Sequence, residues 1–170
     1  LVTGNATIIC NNEIMISEVG INMPNCTGEA SGGINVTVTG GDGNYTCTWY
    51  NGTNGMFDPG SNPVQGPSTT NCNAFGQTAG EYCLLVEDGE GNTGTACFTI
   101  DDPDPLVVTG VVTHEVNGND GSILLDIDGA QGNTNIVWTG GLSGSNPTGV
   151  SKGDYSVTVT DENGCSDTEA

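Results

Sequence analysis

The feature that most constrains this chain is that it repeats itself. Gly33–Trp49 reads GINVTVTGGDGNYTCTW, and Gly121–Trp138 reads GSILLDIDGAQGNTNIVW. Each is an alternating run, a glycine-rich turn and a second run ending in Trp. Further on, GEYCLLVED (Gly80–Asp88) is matched by GDYSVTVTD (Gly153–Asp161), in the same order and at nearly the same spacing. A duplication of this length within 170 residues describes two small related domains. Inside the repeats the apolar residues recur with a period of two. Ile34, Val36 and Val38 alternate with Asn35, Thr37 and Thr39, and Tyr155, Val157 and Val159 alternate with Ser156, Thr158 and Thr160. That is the pattern of antiparallel strands with one buried and one wet face. No window carries a helical period. Short strands punctuated by GG, NG and DG turns predict an all-β chain of two tandem antiparallel β-sandwiches, about seven strands in each. The domains run from about 13 to 103 and from 106 to 170. Between them lies DDPDP (Asp101–Pro105), whose prolines stop a strand, with residues 104–105 as the linker proper.

Composition narrows the partners. The chain has one lysine (Lys152), no arginine and 21 carboxylates, for a net charge of -20. It therefore offers no basic footprint for nucleic acid, phosphate or anionic lipid. No apolar run approaches the length of a membrane-spanning helix, and no signal peptide precedes the first strand. Seven cysteines (Cys10, Cys26, Cys47, Cys72, Cys83, Cys97 and Cys165) lie in Thr-, Asn- and Gly-rich segments without a CxxC pair. They read as disulfides of an exported protein, so the expected location is extracellular or at the cell surface. Alternation places Cys83 and Cys97 on the outer face of neighbouring strands as a cross-strand bridge. Cys47 points inward beside Trp49, with Cys72 or Cys26 as its partner. An odd count leaves one thiol over.

The strand G-[SI]-x-V-x-V-x-GG, the Trp strand and G-x-Y-x-V-x-V-x-D-x-x-G-C together resemble the SprB-type repeats, immunoglobulin-like or PKD-like modules of large bacterial surface adhesins. GDYSVTVTDENGC (Gly153–Cys165) carries the motif most completely. The first domain departs from it, with an insertion at Met56–Phe75 and Asn92 at the cysteine position. The resemblance implies an Ig-like fold and a cell-surface setting, and says little about role.

Aligning the two domains exposes an asymmetry. When Asp88 is matched to Asp161, Ala170 falls against Cys97, and Phe98-Thr99-Ile100, the body of the first domain's final strand, has no counterpart. Domain 2 is thus expected to lack its last strand. At the other end, Ala6-Thr7-Ile8 precedes Ile14-Met15-Ile16 by the interval at which Phe98-Thr99-Ile100 precedes Leu106-Val107-Val108. Residues 1–12 accordingly read as an N-terminal donor strand whose subunit-contact residues are Ala6, Thr7, Ile8, Ile9 and Cys10, with Ala6, Ile8 and Cys10 pointing inward. An exposed edge over an unfilled core invites strand addition from another molecule, and a head-to-tail contact of this kind propagates into a filament when its rotation does not close a ring. The expected function is the structural subunit of an extracellular filament that self-assembles by donor-strand complementation, as the resemblance to two-domain fibril subunits also implies. A tandem-repeat segment of a surface adhesin is the alternative. A Cys10–Cys165 bridge across that junction is excluded by distance. The alignment puts the two at opposite ends of one strand, roughly 20–30 Å apart, where a disulfide needs Cα atoms within about 7 Å.

Other sites are weaker. Five N-x-T sequons, at Asn5, Asn25, Asn35, Asn44 and Asn51, make glycans the one further partner class and this a candidate glycoprotein. Asp101, Asp102 and Asp104 form a candidate calcium site in the linker, against the plainer reading of acidic turns. No other cofactor is indicated. His114 has no nucleophile near it in a recognisable motif, so no catalytic residue is assigned and no enzyme is expected. Trp49 and Trp138, at matched positions, read as core residues.

Overall fold

The computed structural model describes residues 13–58 and 60–170, and among them every regular element is a strand. The chain divides into two compact units. One holds the described residues through Pro24 together with Ala30–Asp101; the other holds Asn25–Glu29 and Asp102–Ala170. The expected boundary near residue 103 therefore needs a correction: the short segment 25–29, in the middle of the first domain's sequence, is part of the second. Nothing periodic marks it, because it is held by side-chain and covalent bonds rather than by a ladder.

Unit 1 consists of β1 (Met15–Asn22), β2 (Gly32–Thr39), β3 (Tyr45–Thr53), β4 (Met56–Phe57), β5 (Pro63–Ser68), β6 (Ala74–Gln77), β7 (Gly80–Asp88) and β8 (Thr93–Ile100). One sheet runs β1-β2-β6. The other runs β4-β3-β7-β8, with β5 also on β3, and all pairs are antiparallel. The insertion at Met56–Phe75 supplies β4 and β5. Inward positions are those of the period-two pattern: Ile34, Trp49, Leu84, Val86 and Ile100 are all at most 2% exposed. Phe98 packs on this core, its ring centroid 5.8 Å from that of Trp49.

Unit 2 consists of β9 (Val107–Thr113), β10 (Gly121–Asp128), β11 (Asn135–Trp138), β12 (Thr148–Val150), β13 (Val157–Thr160) and β14 (Ser166–Glu169), in sheets β12-β10-β9 and β11-β13-β14. Element by element it repeats unit 1 without β4 and β5. Glycines close β2 and β10 at matched places. Gly40 and Gly129 take φ of 84° and 70°, and a Cβ on either would lie 2.0 Å from a backbone oxygen, Glu13 O or Pro105 O. Only glycine fits there. The core holds Val108, Ile123, Leu125, Val157 and Val159, and no aromatic residue is buried in it. Trp138, expected in the core, is half-buried and donates from Nε1 to Gly144 O at 2.8 Å.

The expectation that domain 2 lacks its last strand is corrected by β14. That strand is present and pairs with β13 from Val157↔Glu169 to Thr160↔Ser166. Its four residues match only the first half of the eight-residue β8.

Candidate functional site

Both units build the β7–β8 or β13–β14 hairpin around one buried aspartate. The Asp88 carboxylate accepts from the backbone N–H of Asp42 (3.2 Å), Glu90 (3.0 Å) and Asn92 (2.8 Å), and from Asn92 Nδ2 at 2.9 Å. Asp161 accepts from the N–H of Gln131 (3.0 Å), Asn163 (3.0 Å) and Cys165 (2.9 Å). The Asn92 side-chain amide, chiefly, holds Asp88 below the usual carboxylate range, and the Gln131 N–H does so for Asp161. This explains the D-x-x-G motif as a turn that supports the strand after it. A second matched device is the tyrosine just before. The hydroxyl of Tyr82 donates to Thr78 O at 3.0 Å and that of Tyr155 to Ser151 O at 3.1 Å, a tyrosine corner in each repeat.

Among the described residues, three disulfides are present. Cys83–Cys97 crosses β7 and β8 at directly opposed positions, with Cα atoms 4.0 Å apart. Cys83 sits on the face away from the core and is nevertheless 0% exposed. Cys47 pairs with Cys72, not with Cys26. Cys26 pairs with Cys165, across a separation of 139 residues. It holds segment 25–29 in unit 2, where Gly28 N donates to Asp102 Oδ1 at 3.0 Å and Thr27 Oγ1 to Pro103 O at 2.8 Å. Cys10 lies outside the described residues.

The linker carboxylates do not gather into a metal site. Among the described residues, the group that brings three candidate donor atoms within 4.8 Å is Glu81, Cys83 and Cys97, and its two cysteines are spent on each other. Asp102 instead accepts the Gly28 N–H. Of the sequons, Asn25, Asn44 and Asn51 are exposed and Asn35 is half-buried; Asn5 lies outside the described residues, as do the donor-strand residues Ala6, Thr7, Ile8 and Ile9.

The asymmetry between the units leaves a large concavity in unit 2. In unit 1, Gly80, Glu81, Tyr82 and Cys83 pair with Ile100, Thr99, Phe98 and Cys97. The matching residues of unit 2, Gly153 to Ser156, pair with no strand among the described residues; Ser156 exchanges hydrogen bonds with Thr139. Beside them runs a groove of about 850 Å³, lined by Val112, Gly121, Ile123, Val150, Tyr155 and neighbouring residues up to Ala170. These positions are the counterparts of the seat that Ile100 fills in unit 1. A Cβ on Gly32 would come 3.2 Å from Ile100 Cγ2, and Gly32 corresponds to Gly121. Ile34 corresponds to Ile123, Tyr82 to Tyr155, and Ile21, paired with Ile34, to Val112, paired with Ile123. With the seat open, Val112 is 55% exposed and Tyr155 half-buried, whereas Tyr82 is 5% exposed. His114 sits one residue past β9 rather than inside a strand, and it too lines the groove, as does Lys152. The sequence holds one His and one Lys, and both are here. Residues 114 and 152 reach the same groove through the β9–β10–β12 pairing, which no local spacing in the sequence signals.

Comparison with known proteins places residues 24–54, which span β2 and β3, in the SprB repeat family. The match falls in the first repeat rather than on Gly153–Cys165. No curated protein matches the chain. Among solved structures, the Bacteroides ovatus mixed-linkage glucan utilization locus protein SGBP-B, in complex with mixed-linkage heptasaccharide, is 20% identical with a TM-score of 0.33; the similarity covers 89% of this chain and 45% of that one. Murine CEACAM1b is 16% identical with a TM-score of 0.29, over 88% of this chain and 93% of that one. The chain thus spans less than half the length of the first of these.

Proposed function

For a chain that carries a SprB repeat at residues 24–54, we propose the role of structural subunit in an extracellular, cell-surface filament, assembled head-to-tail by strand addition from the N-terminal segment of one copy into unit 2 of the next. The observation that carries this reading is that Gly153, Asp154 and Tyr155 have no strand partner among the described residues and lie beside an apolar groove, where the matching residues of unit 1 pair with Phe98–Ile100. Unpaired backbone at a sheet edge together with open core favours the arrival of another extended segment, since the ladder supplies affinity and alternate side chains supply specificity. Such a contact joins two different surfaces, and it propagates into a filament when its rotation does not close a ring. The disulfides suit an oxidising exterior. The role is mechanical, without a catalytic residue or a cofactor.

The test is removal of residues 1–12. Sedimentation of the shortened chain should give monomer at concentrations where the intact chain associates. Association that survives the deletion would overturn the proposal. The internal repeat also favours a second reading, a repeat segment of a continuous surface adhesin whose grooves are filled along one polypeptide. Native material that stays at a high multiple of the 17.2 kDa chain after full reduction and denaturation would support that reading instead.

A further inference from the structure

We infer that the residue entering the unit 2 groove is Ile8 of a second copy, seated against Gly121, Ile123 and Tyr155 as Ile100 is seated in unit 1, and that Lys152 places the chain's one basic side chain on the groove wall. The inference rests on the strand-addition reading and adds its register and its charge logic. Unit 1 is the template. Its inward positions on the relevant half of β8 are Phe98 and Ile100, two residues apart, with Ile100 1% exposed. Phe98 precedes Leu106 by eight residues, and Ala6 precedes Ile14 by the same eight. That register puts Ala6 at the Phe98 position and Ile8 at the Ile100 position, with Thr7 and Ile9 facing outward. A small Ala where unit 1 has Phe suits a unit whose Trp138 is half-buried and has no aromatic partner.

Charge decides who can dock. Residues 1–12, LVTGNATIICNN, contain no ionisable side chain apart from Cys10, so inserting them buries no carboxylate. Two chains of net charge -20 nevertheless repel each other as they approach. Lys152, which lines the groove together with Glu115 and Asp154, lowers that repulsion at the point of contact. The occupant is therefore the N-terminal segment of a second copy of this chain, which brings no carboxylate into the groove.

The experiment is sedimentation of the full chain as wild type, Ile8→Asp, Ile9→Asp and Lys152→Gln, with the unfolding of each followed by circular dichroism. Wild type is expected to associate. Ile8→Asp is expected to weaken association by roughly 100-fold or more, because a carboxylate is pushed into an apolar seat. Ile9→Asp, of the same chemistry on the outward phase, should stay within about threefold of wild type. Lys152→Gln should weaken association more at low salt than at high salt. As a control independent of variant folding, a labelled peptide of residues 1–12 carrying Cys10→Ser should bind the Ile8→Asp chain, whose groove is free, while the same peptide with Ile8→Asp should not. Equal effects of the two isoleucine substitutions, or loss at Ile9 alone, would overturn the register while leaving strand addition standing. A wild-type chain that stays monomeric and binds no peptide would overturn the strand-addition reading itself.

Discussion

Removing the Cys26–Cys165 bond as Cys26→Ser/Cys165→Ser should destabilise unit 2 and leave unit 1 nearly unchanged. The magnitude follows from the length of chain the bond closes. The cysteines are 139 residues apart, but folded unit 1, Ala30–Asp101, lies within that span. The part of the loop free to unfold with unit 2 is on the order of 70 residues, for which loss of chain entropy in the unfolded state is worth about 4.4 kcal/mol. For a unit of unit 2's size, roughly 4–8 °C accompanies each kcal/mol, so the unfolding midpoint should fall by about 20 °C or more. Releasing the bond also frees the segment whose Gly28 and Thr27 bond to Asp102 and Pro103, which adds to the loss. Each unit carries one tryptophan, Trp49 or Trp138, so fluorescence in Trp49→Phe and Trp138→Phe backgrounds reads the two transitions separately. The expected result is a large drop in the Trp138 midpoint with the Trp49 midpoint in place. A Trp138 midpoint that moves by less than about 3 °C would refute the assignment of segment 25–29 to unit 2, since the entropy argument leaves no route to so small an effect.

Three further outcomes are expected. Ile100→Ala should cost unit 1 about 2–5 kcal/mol in urea unfolding, because the side chain is fully buried and its loss opens the cavity that unit 2 already has. Tyr155→Phe should cost unit 2 about 1 kcal/mol by removing the bond to Ser151 O, measured the same way. Asp88 and Asp161 are both held below their ordinary 3.8, so the stability they contribute is present above that pH and is lost as pH falls through their lower folded values; Asp161→Asn should flatten the acid limb of unit 2's stability, seen as a smaller change in midpoint between pH 5 and pH 2.

Much of the fold is legible in the sequence because its determinants are local. The period of two across Ile34–Val38 and Tyr155–Val159 and the glycine turns at Gly40 and Gly129 each set their element without help from distant residues. The cross-strand Cys83–Cys97 position follows from the same alternation once a hairpin is assumed. What escaped depends on contacts far apart in the chain. Segment 25–29 has no period, and its place in unit 2 is fixed by a bond to Cys165, which sequence cannot pair with Cys26 over any other cysteine. The missing strand was overestimated for a related reason. Alignment locates the absence of Phe98 and Ile100 counterparts, but only pairing shows that Ser166–Glu169 already form the first half of the strand. Likewise the meeting of His114 and Lys152 at one groove is a product of register, not of spacing.

The most direct measurement is amide hydrogen exchange at Tyr155 before and after association. In unit 1, Cys83 and Cys97 face each other with Cα atoms 4.0 Å apart, the spacing of a non-hydrogen-bonded pair, so the neighbouring Tyr82–Phe98 pair is the one that exchanges backbone bonds. Tyr155 is the counterpart of Tyr82, and its N–H should bond to an entering strand. Strand addition predicts that this amide passes from fast exchange in the monomer to strong protection in the associated state, and that the Ile8→Asp chain keeps it fast. An associated state in which Tyr155 exchanges as quickly as in the monomer would contradict strand addition at this groove.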